Sequence, residues 1–221
     1  MVLERLEALA SPGGRERMAR FGINSHRALG VRIPDLRRLA REIGTDHSLA
    51  LSLWRTNVHE ARIIASMIDD PAKVTERQME AWAGDFDSWD LCDQCCGNLF
   101  DRTPFAHGKA LEWSGRDEEF VKRAGFALMA WAAVHDKTAD DRVFLEFLPI
   151  VEREADDDRN FVRKAVNWSL RQIGKRNRGL RRAAVAVARR LARRSESRSA
   201  RWIGADALRE LESEAVLSRL S

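Results

Sequence analysis

The chain is 221 residues long, enough for one sizeable core or a continuous array of repeats. Apolar residues make up 44% and charged residues 33%, which excludes a disordered chain. No apolar run approaches the roughly 18 residues of a membrane span, and the opening stretch MVLERLEALASPGGRER carries charges where a secretory signal needs an apolar centre. These features imply a cytoplasmic protein.

Strand signals are almost absent. The chain has no Tyr, few Thr and no alternating Val/Ile run bounded by a tight turn. Helical spacing recurs instead. IPDLRRLAREIG places Ile33, Leu36, Leu39, Ala40 and Ile43 on one stripe, with Pro34 in the first turn and Gly44 as C-cap. Further helices are predicted over His59–Asp69 and about 117–135, 141–155, 159–174 (ending on a glycine) and 181–194, with a last one over 206–220. This predicts ten or more helices of about 10–18 residues, grouped as hairpins about 40 residues long. The fold class is all-α, a solenoid of HEAT-like pairs, and no composition break divides residues 1–221 into separate domains.

The decapeptide DSWDLCDQCC, residues 87–96, holds the chain's three cysteines and three aspartates around Trp89. Cys92 and Cys95 form a C-x-x-C, but no second pair exists to complete a zinc site, so no metal is expected. On a helix Cys92 and Cys96 share one face, where free Cys packs as a small apolar residue. Asp87 is the expected N-cap, and Asp90 suits the dipole of the first turn. Asp93 lies beyond that turn, four residues after Trp89 and on the same face. It is either a half-exposed carboxylate paired with an arginine or a functional one. Downstream, Lys122 and Arg123 precede the small residues Ala124, Gly125 and Ala127, a signature of close helix packing. Arg123 alone reads as a solvated or paired charge. Trp168 alone reads as core, yet Arg163, Lys164, Arg171 and Lys175 surround it, as cations surround aromatics on nucleic-acid surfaces.

Charge is distributed unevenly. From Arg159 to Arg201 there are fifteen Lys/Arg and one acid, Glu196, a local +14, while the rest of the chain carries −10. A preference for Arg explains 32 Arg against six Lys. It does not explain the loss of acids over 43 residues, which points to a polyanionic partner.

In order, ALGVRIPDLRRL, SLWRTNVHEARIIA, SWDLCDQ, VKRAGFALM and FVRKAVNWSLRQIGK resemble the AlkD-type family of bacterial DNA alkylation repair glycosylases, from about Arg15 to the mid-180s. The resemblance implies a HEAT-like array with a basic concave face. It also implies a monomer bound to duplex DNA in the bacterial cytoplasm. The implied activity is hydrolytic release of cationic N3- and N7-alkylpurines, without flipping the base into a pocket and without a cofactor. By motif, the catalytic residues implied are Trp89, Asp93, Arg123 and Trp168. DNA contacts are expected from Lys122, Arg123, Arg163, Lys164, Arg171 and Lys175. A helical scaffold without glycosylase activity, binding nucleic acid or protein, is the alternative. The chain departs from the family in its cysteine-rich Trp–Asp segment and its lack of Tyr.

Overall fold

A computed structural model describes residues 1–220. Among them are fourteen α-helices, one 3-10 turn and no strand. The chain forms two compact units, Met1–Pro104 and the residues from Phe105 onward.

The first unit holds α1 (Val2–Ala8), α2 (Pro12–Arg20), α3 (Ile33–Ile43), α4 (His47–Arg55), α5 (His59–Ile68), α6 (Glu76–Gly84) and α7 (Trp89–Asn98), then the 3-10 turn Phe100–Arg102. The α3 stripe buries Leu36, Leu39 and Ala40, and Gly44 ends the helix at φ 75, a left-handed backbone that glycine adopts without cost. Almost every residue of α5 is buried, because α3, α4 and α7 all pack on it. Its Glu60 carboxylate accepts the backbone N–H groups of Leu29, Gly30 and Val31 at 2.7–3.2 Å. That clamp fixes the loop entering α3. Trp54 of α4 and Trp82 of α6 stack at 3.9 Å and nearly parallel.

The second unit holds α8 (Ala106–Trp113), α9 (Glu119–His135), α10 (Asp141–Glu154), α11 (Asn160–Gly174), α12 (Arg178–Ala192), α13 (Arg198–Leu211) and α14 (Glu214–Arg219). Helices α9, α11 and α13 lie side by side, and α8, α10 and α12 back them. The small residues of α9 do what their size suggests. A Cβ on Gly125 would come within 2.4 Å of the Ser114 backbone nitrogen, so only glycine lets α9 seat against the end of α8.

Two local expectations are corrected. The last helix is two: α13 starts at Arg198, capped by the Ser197 hydroxyl on the Ala200 N–H, and stops at Leu211 before α14. The Ser/Arg-rich lead-in hid that start. Helix α12 starts at Arg178 rather than 181, because the Asn177 side chain caps it through the Leu180 N–H. Helix α11 ends on Gly174 as expected, with Lys175 as its C-cap, and a Cβ on Gly174 would meet the Leu211 side chain at 2.7 Å.

Candidate nucleic-acid interface

Helix α7 carries two faces. Leu91, Cys92, Cys95 and Cys96 point into the core, each 0–1% exposed. Trp89, Asp90, Asp93 and Gln94 are half-buried on the remaining surface. Burial first, then the charges and thiols around them, pushes the Cys95 and Cys96 thiols well above the ordinary range, and Asp93 adds to the push on Cys96. Both are therefore neutral thiols at pH 7, packed as apolar groups.

The N-cap is Ser88, not Asp87 as expected. Neither side chain caps the helix. The Ser88 hydroxyl accepts the Asn24 backbone N–H at 2.8 Å, and Asp87 accepts the Asn24 side-chain amide at 2.8 Å. Both serve the loop that follows α2. The Trp89 indole N–H donates to the Phe21 carbonyl at 3.0 Å, which fixes the ring plane. Asp93 sits one turn below Trp89 on the same side of α7. The sequence motif thus becomes an oriented indole beside a half-buried carboxylate.

Asp90 does more than complement a helix dipole. Its Oδ2 lies 2.9 Å from His59 Nε2, and His59 is 4% exposed. Burial disfavours the imidazolium, but the hydrogen bond and charge of Asp90 outweigh it, so the His59 pKa is raised. Sequence reading missed this pair because 31 residues separate its members.

In the second unit Arg123 is 6% exposed, and its Nη1 donates to the Phe161 carbonyl at 2.6 Å. It ties α9 to the first turn of α11. Lys122, expected among the DNA contacts, is 9% exposed, and its ammonium lies 2.7 Å from Glu154 and 3.1 Å from Asp157. Trp168 is half-buried and meets Trp131 edge to face at 5.4 Å, and Trp131 stacks on His135 at 4.7 Å. Trp131 and His135 were not singled out in the sequence, although their i,i+4 spacing on α9 was legible.

The basic tract is less free than its sequence count. Arg171 and Lys175 close on the two oxygens of Glu210 at 2.5 and 2.6 Å. Burial works against that carboxylate, but the two cations outweigh it and lower its pKa. Arg190 pairs with Glu152, Arg194 with Asp156, Arg159 with Asp157 and Arg189 with Glu212. All five acids lie outside the tract. Arg163 stacks over the Trp202 ring at 5.2 Å, while Lys164 is exposed with no ion pair among the described residues.

Successive helices that pack in pairs without any strand among the described residues are the architecture of HEAT-like repeats. A solved structure described as "a new family of proteins related to the HEAT-like repeat DNA glycosylases with affinity for branched DNA structures" superposes with a TM-score of 0.79. It shares 20% identity, covering 95% of this chain and 94% of that one. The family model described as DNA alkylation repair enzyme matches residues 2–211, and the chain belongs to that family. No curated protein matches.

Proposed function

We propose that the protein is a monofunctional DNA glycosylase that hydrolyses the N-glycosidic bond of cationic N3- and N7-alkylpurines in duplex DNA, without drawing the base into a pocket. One observation carries the reading: in a member of the DNA alkylation repair family, Trp89 and Asp93 share the half-buried surface of α7. An N3- or N7-alkylated purine already carries the positive charge a leaving base needs, so a general acid is unnecessary. As the C1′–N bond lengthens, its electron pair returns to the purine and positive charge moves to the deoxyribose. A carboxylate aimed at that charge stabilises the transition state, and water then bonds to C1′ and gives up its proton. Trp89 offers a π-face to the cationic base or sugar, a contribution of about 0.5–2 kcal/mol. In the second unit, Trp168 offers another aromatic face to the DNA. No lysine stands beside Asp93 on α7, so hydrolysis without a Schiff base is expected.

The solved relative described by its affinity for branched DNA favours a second reading, binding of DNA junctions without base release. Purified protein in excess over a 7-methylguanine duplex and over an undamaged four-way junction separates the two. Release of 7-methylguanine supports the glycosylase. Tight junction binding with no release from the damaged duplex supports the second reading.

A further inference from the structure

The second unit contains a cleft of about 490 Å³ where the ends of α9 and α11, the start of α10 and the last turn of α14 meet. Lys137, Arg176, Arg219 and Lys175, the last held by Glu210, line it, with Gln172 and a single lining acid, Asp141. Arg176 is its fixed element. Its guanidinium donates to the Ala133 and Ala139 carbonyls at 3.3 and 3.0 Å and lies 4.2 Å over the Phe144 ring. Those bonds use two of five N–H donors and neutral acceptors, so position is fixed while charge is kept. Asp136, the nearby acid, is turned onto Thr138 and Ala139. Asp141 is occupied as well, both its oxygens accepting the Asn177 amide at 2.9 and 3.0 Å. Lys137 and Arg219 are exposed and have no carboxylate partner among the described residues.

We propose that this cleft is a binding site for a phosphate-class oxyanion, and that its occupant is a backbone phosphate of DNA. A preoriented arginine flanked by two exposed cations suits a tetrahedral dianion or a phosphodiester. The choice of DNA rests on the function proposed above and on the helix that carries the site. Gln172 and Lys175 follow Trp168 by four and seven residues on α11 and just beyond it. At 1.5 Å per residue Lys175 lies about 10 Å from Trp168, about three base steps along one strand. The cleft therefore grips the strand a few nucleotides from the base that Trp168 meets.

Arg176→Ala removes two internal hydrogen bonds and endangers folding, so the test uses the exposed pair Lys137→Ala/Arg219→Ala. Binding of an undamaged duplex is followed by fluorescence anisotropy from 50 to 300 mM salt. The double variant should bind about 5–50-fold more weakly at low salt, with a salt slope shallower by about one to two, since each neutralised phosphate contributes about 0.9. Unchanged affinity and slope in the folded variant overturn the proposal. Titration of the wild type with inorganic phosphate at constant ionic strength should give no saturation below millimolar concentration. Saturable binding there, lost in the double variant, makes the cleft a free-anion site and overturns its assignment to DNA. Neither readout uses base release, so absence of glycosylase activity leaves this result standing on its own.

Discussion

Asp90 and Asp93 lie three residues apart on α7. Asp90 belongs to the fold through His59. Because the His59 pKa is raised in the folded state, the stability of the charged pair is fully present below the ordinary histidine value, about 6.5, and is lost as pH rises through the folded value. Denaturant melts of Asp90→Asn should show a deficit of about 1–2 kcal/mol near pH 6 that shrinks by pH 9. A deficit independent of pH would mean that His59 stays neutral. The cysteines are legible from spacing alone, and the structure agrees with the packing expectation: three thiols in ten residues lie on the inner face of a helix. Cys95→Ser should cost about 1–3 kcal/mol by burying an ill-matched hydroxyl, and thiol reagents should label Cys95 and Cys96 only on unfolding. Labelling of the native protein at the rate of a free thiol would refute their neutral, buried state.

At the scale of elements, the long periodic helices were legible and their junctions were not. Hydrophobic stripes at i, i+3 and i+4 reveal α3, α5, α9, α10 and α11, because burial of one face is written into composition. The starts of α12 and α13 depend on Asn177 and Ser197 choosing a backbone N–H, which many Asn and Ser do not do. Lys122 shows the same limit for charge: its partners, Glu154 and Asp157, come from the end of α10 and the turn after it, more than thirty residues away. Lys122→Met should therefore cost about 3 kcal/mol, since two carboxylates lose a buried partner. It should leave the salt slope of DNA binding unchanged. The carboxylate pKa values in this cluster are lowered despite burial. Their stabilisation is present above the ordinary carboxylate range and fades as pH falls through the folded values, so the Lys122 deficit should be largest near neutrality and smaller at pH 3–4. A loss of DNA affinity with unaltered stability would return Lys122 to the surface role its sequence suggests.

For the whole molecule, net charge in sequence and charge available to a partner are different quantities. Six of the fifteen cations between Arg159 and Arg201 face carboxylates outside that stretch, and for all but Arg159 the fold brings the partner from more than twenty residues away. If every cation met a phosphate, the salt slope of duplex binding would approach about −13; the nine left outside these ion pairs set a limit of about −8. A slope near zero would remove the electrostatic interface altogether. The aromatic–carboxylate face on α7 remains the central claim, and Asp93→Asn addresses it by keeping the shape of the side chain while removing its charge. Under enzyme excess on a 7-methylguanine duplex, the folded variant should release base roughly 10–1000-fold more slowly than wild type, about 1.4–4 kcal/mol of lost transition-state stabilisation, with DNA affinity equal or slightly higher. Release at the wild-type rate by a folded Asp93→Asn protein would show that the carboxylate takes no part in the chemistry.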